Sequence, residues 1–268
     1  RTFLGLASHQ YFHLWNVKRM KPAVFTPYDL AQETHTSLLW VFEGVTSYYD
    51  DLALVRSGMI EANSYLELLG QTITRVQRGS GRRRQSVAES SFDAWTKFYK
   101  QDANSANAIV SYYAKGSLVA LVTDLKLRVE TGGKMSLDDV MKAAWQRWGE
   151  TGEGMPEQGF ESLCVDMAGF DIRDFLDAAV RGTGELPLES LLHAHGIELH
   201  MRRSQGASDK GGKPASNGNV PDVWLGADLD ASNGKLSFKV VHNGGPAECA
   251  GVAPGDECVA LDGLRVTA

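Results

Sequence analysis

The sequence predicts a mainly α-helical body followed by a small β-rich module. Three observations carry this. Apolar residues recur at helical spacing through residues 1–202, and residues 203–219 then contain no large apolar side chain. Beyond that stretch the period becomes two, with Leu236, Phe238 and Val240 alternating with Ser237 and Lys239 between glycine-rich turns. The expected division is a helical portion over 1–202, a flexible linker over 203–219 and a β module over 220–268.

In chain order, residues 3–19 carry a dense apolar set, compatible with a largely buried helix that ends before Pro22. Residues 22–36 read as a connection. Thr36 or Ser37 can cap a second, strongly apolar helix running from Leu38 past Tyr48. A third helix is expected over 57–75, followed by the basic loop at Arg82, Arg83 and Arg84. Trp95, Phe98 and Tyr99 mark a short helical segment, and 106–130 a long one. Ser136, with Asp138 and Asp139 behind it, starts another helix over 137–148, where acidic groups suit the positive helix end. Helical patterns continue over 159–167 and 172–181. The polar stretch 203–219 cannot offset its ordering entropy by burying apolar surface.

The 268 residues, 43% of them apolar, can bury a sizeable core. A formal net charge of -6 argues against a nucleic-acid partner, whose footprint would be a strongly basic domain. No stretch reaches the roughly 18–20 consecutive apolar residues of a membrane span. Cys164, Cys249 and Cys258 are too scattered to suggest a disulfide framework or a structural zinc site, so the redox compartment stays open. The chain opens at Arg1 without methionine and runs straight into a motif, which leads us to expect an upstream portion.

His9 and His13 lie four residues apart, on adjacent turns of one helix face. Zinc takes neutral imidazole nitrogens in this arrangement. The bland alternative is a pair of partly buried core histidines. Glu43 favours the metal, because it is the only charge between Leu38 and Tyr49. A lone carboxylate in an apolar helix is costly to bury unless it meets a cation or hydrogen-bond donors. Lys18 or Arg19 could also satisfy it. Glu33 and His35 lie in a polar connection, where solvated side chains need no explanation.

Several segments together resemble the glycyl aminopeptidase family of gluzincin zinc metallopeptidases. They are 9–19 (HQYFHLWNVKR), 39–49 (LWVFEGVTSYY), the stretch from Gly81 to Trp95, and 111–116 (SYYAKG) leading to Asp124 and Arg128. The resemblance implies the helical part of a thermolysin-like catalytic domain, with His9, His13 and Glu43 as zinc ligands and a peptide substrate. It also implies that Tyr113, with Tyr112 as its neighbouring alternative, donates its phenol to a developing oxyanion. Either tyrosine taken alone reads as core.

Position 10 departs from the family. Its His-Glu-x-x-His pattern uses the glutamate as general base, and here Gln10 stands in its place. A neutral amide can hydrogen-bond a water but cannot accept its proton. Metal binding should survive, and hydrolysis should fall by about 10² to 10⁴. The change fits a laboratory substitution or a naturally inactive member equally well.

The tail resembles the first half of a PDZ domain, in Trp224-Leu225-Gly226-Ala227-Asp228-Leu229, then Gly244-Gly245-Pro246-Ala247, Pro254-Gly255-Asp256 and Leu261-Asp262-Gly263. By that resemblance Leu225, Gly226, Ala227, Asp228 and Leu229 would receive a peptide C-terminus. The chain stops at Ala268, before a second groove wall, so this truncated PDZ-like module should bind weakly. Arg82 to Arg84 read as solvated surface, His193, His195 and His200 as a loose cluster, and Trp145 and Trp148 as core. Two functions compete: a zinc aminopeptidase releasing small N-terminal residues such as Gly or Ala, and a non-catalytic, metal-holding peptide binder whose PDZ-like module recruits partners.

Overall fold

The computed structural model describes residues 2–206, 208–215, 223–232 and 234–266. Helix α1 covers Thr2–Phe12, shorter than the pattern over 3–19 suggests, because the chain turns after His13 and loops back through Asn16 and Met20. Nor is α1 largely buried. Phe3 is 76% exposed and Tyr11 63% exposed, and only one stripe of the helix packs on its neighbour. An apolar pattern all round a helix says that it can be buried, not how many neighbours cover it.

The second helical run begins as a π-helical turn over Trp40–Val45 and continues as α2 over Thr46–Arg56. Trp40, Val41, Phe42, Gly44 and Val45 are all buried, as their apolar character demands. Gly58 then takes a positive φ of 73° and ends the run. The next helix, α3, is therefore Ala62–Arg78 instead of 57–75. A short helix α4 (Val87–Phe92) is started by a capping box between Ser86 and Glu89.

The long helix expected over 106–130 is broken. A single turn, α5 (Ser105–Ala108), is followed by extended backbone at Ile109, and α6 runs from Ala114 to Glu130. The break has a physical cause: Gln85 Oε1 accepts a hydrogen bond from Val110 N at 3.0 Å, and the Ser90 hydroxyl donates to Val110 O at 2.5 Å. Side chains thus satisfy the backbone groups a continuous helix would have used. Next come α7 (Leu137–Ala144), started by the Ser136–Asp139 capping box, then α8 (Gly159–Ala168), α9 (Arg173–Val180) and α10 (Leu188–His193). Helix α6 is the axis of the body, buried from Ala114 to Leu125 and packed along the π turn and α2.

The described part of the polar segment, residues 203–206 and 208–215, runs beside α3. Arg202 pairs with Asp209 at 2.6 and 3.0 Å, Lys213 lies 3.4 Å from Glu67, and Gly212 packs against Gly70. The remainder of 203–219 lies outside the described residues. Antiparallel strands β1 (Ala227–Ser232) and β2 (Lys235–Val241) follow, with α11 (Pro246–Cys249) and the short hairpin β3 (Ala260–Leu261) and β4 (Leu264–Arg265). Asn107 joins this module to the helical body, donating to Val241 O at 2.7 Å and accepting from Asn243 N at 3.0 Å. Arg82 and Arg83 are not simply solvated, since both meet Glu185. No described helix is long and apolar enough to cross a membrane.

Candidate metal centre

α1 and the π turn bring His9, His13 and Glu43 together. One ligand atom from each lies within 4.8 Å of the others. Glu43 Oε2 is 3.2 Å from His9 Nε2 and 3.2 Å from His13 Nε2. A tetrahedral ion with bonds of about 2.0–2.1 Å places its donors roughly 3.3 Å apart, so this spacing fits zinc. Glu43 thus turns to the imidazoles and not to Lys18 or Arg19; the Arg19 guanidinium lies over the Trp145 ring.

Both histidines are held by their other nitrogen. His13 Nδ1 faces the Asn16 carbonyl at 2.8 Å, and His9 Nδ1 faces Asp50 Oδ2 at 3.1 Å. A donor hydrogen at each Nδ1 leaves both Nε2 lone pairs directed at the cluster. Asn16 is itself fixed, its amide donating to Val41 O at 2.9 Å and Thr46 Oγ1 at 3.1 Å. The sequence reading missed both supports. Asp50 carries one signal that could have found it: seven residues beyond Glu43, it lies two helical turns along the same face.

The electrostatics favour a cation. Burial opposes a charged imidazolium at His9, yet hydrogen bonds to Asp50 and Glu43 and their negative charges outweigh it and push His9 up to about 9. Burial likewise favours a neutral Glu43, but hydrogen bonds from His13 and His9 hold its carboxyl below the usual value. Protein carboxylates and imidazoles gathered this tightly accept either a proton or a metal.

The cluster opens onto a cleft of about 920 Å³, lined also by Gln10 and Tyr113. Gln10 is exposed on α1, beside the three donor residues and not among them. Tyr113 and Tyr112 part company: Tyr112 is 1% exposed, while Tyr113 reaches the cleft with its ring 6.5 Å from that of His9. Tyr112 donates to the Tyr99 hydroxyl at 3.1 Å, and Tyr99 and Tyr113 hydroxyls are 3.2 Å apart. Burial, the Tyr99 contact and the charge of Glu43 all raise the Tyr113 phenol, which therefore keeps its proton. Tyr99 was read from the sequence only as part of an apolar helical segment.

The other candidates do not join this cluster. Glu33 and His35 form a weak, half-exposed pair at 3.9 Å. His193 pairs with Glu198, and His195 with the Leu191 carbonyl. All three cysteines are free. In the β module Leu225 and Ala227 to Leu229 precede and form β1, with Gly226 at a positive φ of 74° where its carbonyl accepts from His242 N.

A helical body that sets two histidines and a carboxylate in the wall of an open cleft is the arrangement of a metallopeptidase. Residues 2–119, which contain the cluster, Gln10 and Tyr113, match the family model of the M61 glycyl aminopeptidases. The crystal structure of an aminopeptidase N family protein from Idiomarina loihiensis superposes with a TM-score of 0.91 and is 44% identical, over 99% of this chain and 45% of that one. The chain thus spans a little under half the length of that relative. No curated protein matches it. These two findings support assignment to the M61 glycyl aminopeptidase family, carried by residues 2–119.

Proposed function

We propose that this chain is the zinc-holding part of an aminopeptidase that releases small N-terminal residues, glycine or alanine, from peptides, and that Gln10 impairs its hydrolysis. The observation that carries this reading is the spacing of His9, His13 and Glu43 beside a cleft that also receives Gln10 and Tyr113. His9, His13 and Glu43 would hold the ion. Bound there, zinc would polarise the scissile carbonyl and make water a better nucleophile near neutral pH.

The remaining work falls to this chain's own residues. Tyr113 would donate to the carbonyl oxygen as negative charge develops on it. Tyr112 donates to Tyr99, and the Tyr99 and Tyr113 hydroxyls share one hydrogen bond that either can donate; a bound substrate carbonyl would take the Tyr113 proton while Tyr99 turns to donate to Tyr113. Gln10 can orient a water through its amide, but it cannot take the proton that a glutamate would take. That single substitution favours the second reading, a metal-holding protein that binds peptides without cutting them.

The β module is the first half of a PDZ-like domain in this proposal. Leu225 to Leu229 would present backbone groups to a peptide C-terminus, and β1 would add the peptide as a further strand.

The deciding experiment is zinc-loaded Gln10→Glu assayed for release of glycine from a chromogenic glycyl amide. Activity at least 100-fold above the unsubstituted chain supports the peptidase. Silence with a full complement of zinc supports the binder.

A further inference from the structure

The geometry points to a carboxylate subsite at the basic end of this cleft, placed to receive an anionic group on the leaving-group side of a bound peptide. The inference deepens the peptidase reading and rests on it. The cleft is one continuous space running from the His9, His13 and Glu43 cluster to Arg75, Arg78 and Lys210. The carboxylates of the cleft, Glu43, Asp50 and Asp51, come from the π turn and α2, whereas Arg75, Arg78 and Lys210 come from α3 and the polar segment beside it, so the two signs of charge lie on different walls.

These cations are not neutralised. Among the described residues neither Arg75 nor Lys210 has a carboxylate partner. Arg78 hydrogen-bonds the Ser204 hydroxyl and the Asp209 carbonyl, neutral acceptors that leave its charge uncompensated. Asp209 gives its carboxylate to Arg202 instead. The low-dielectric walls of such a cleft strengthen the attraction for an anion.

The dimensions select the substrate class. Gln71, Thr74, Arg75 and Arg78 recur at helical spacing along the wall that α3 contributes. At about 1.5 Å per residue, Gln71 to Arg78 spans roughly 10 Å. An extended peptide covers about 3.3–3.6 Å per residue, so that wall accommodates about three residues. A peptide with a free N-terminus also carries an ammonium, which these cations repel. The C-terminal part of the peptide therefore lies along α3, and the subsite suits short peptides. Its ligand is either their terminal carboxylate or an Asp or Glu side chain at that depth.

Binding to the zinc-loaded chain tests this, since Gln10 keeps the peptide intact during titration calorimetry. Three probes are used: Gly-Ala-Ala as the free acid, Gly-Ala-Ala amide, and Gly-Ala-Glu amide. A carboxylate-bearing peptide should bind about tenfold tighter than the neutral amide, with the gap narrowing in high salt. In the triple variant Arg75→Gln, Arg78→Gln, Lys210→Gln the gap should close at unchanged zinc content, and Arg75→Lys should retain most of it. Preference for the free acid alone identifies the terminal carboxylate as ligand, and preference for Gly-Ala-Glu amide alone identifies the side chain. Equal affinity for all three probes, or a preference that survives the triple substitution, overturns the subsite and leaves the peptidase reading intact. Failure of every probe to bind overturns both.

Discussion

Gly44 and Gly116 bring the Glu43 turn and helix α6 into backbone contact. A Cβ on Gly44 would sit 2.7 Å from Gly116 Cα and 2.8 Å from the Tyr112 carbonyl, and one on Gly116 would sit 3.0 Å from Gly44 Cα. This approach places the carboxylate of the cluster and the tyrosine of the cleft on two elements that touch, with Tyr113 three residues before Gly116. No side chain larger than hydrogen fits without separating them.

Gly44→Ala should therefore destabilise the chain by about 1–3 kcal/mol through overpacking. Denaturant unfolding measures this, and zinc affinity should fall with it because Glu43 moves. A variant as stable as the parent would show that the two helices can part at no cost.

Metal content should follow the cluster. Alanine at His9, His13 or Glu43 should remove stoichiometric zinc, read by elemental analysis after dialysis, while Gln10→Ala should keep it. Asp50→Asn should weaken zinc affinity by about 10- to 100-fold, because the 3.1 Å contact orients His9 and makes it more basic. Unaltered affinity in Asp50→Asn would reduce that contact to packing.

The role of the tyrosines is best measured with a carboxylate at position 10. In a Gln10→Glu background, Tyr113→Phe should lower kcat by about 10² to 10³ with little change in KM. Tyr99→Phe should lower kcat less, since it only orients the Tyr113 proton. A KM effect without a kcat effect at Tyr113 would assign it to substrate binding.

Asp124 anchors the body below the site. Only 3% exposed, it accepts hydrogen bonds from the Tyr48 hydroxyl at 2.7 Å, Arg128 Nε at 2.9 Å and Leu137 N at 2.7 Å. Asp124→Ala should cost about 3–5 kcal/mol, leaving several buried or half-buried donors unmet. Thermal unfolding tests it; a loss below about 1 kcal/mol would mean that water replaces the carboxylate.

Much of the site was legible because it is local. His9 and His13 share a face through helical periodicity alone, and Glu43 announces itself as a lone charge in an apolar run. Ser136 with Asp139 behaves as the sequence suggests, since a capping box spans only one turn. The missed features are contacts between distant segments. Gln85 and Ser90 break the helix expected over 106–130, Asp50 holds His9 from the next helix, and Asn16, whose carbonyl meets the nearby His13, is itself fixed by Val41. Tyr112 and Tyr113 are adjacent in sequence, and only packing assigns one to the core and the other to the cleft.

The sequence by itself determined the donor types, their helical spacing, the neutral amide of Gln10 between the two histidines and the change of period that marks the β module. Tertiary structure decided their convergence: the 3.2 Å spacing around Glu43, the choice between Tyr113 and Tyr112, and the single cleft that Arg75, Arg78 and Lys210 line together. The physical reason is range. Periodicity, capping and side-chain chemistry act within a few residues, whereas a cleft is made by backbones such as those of Gly44 and Gly116, brought together from far along the chain.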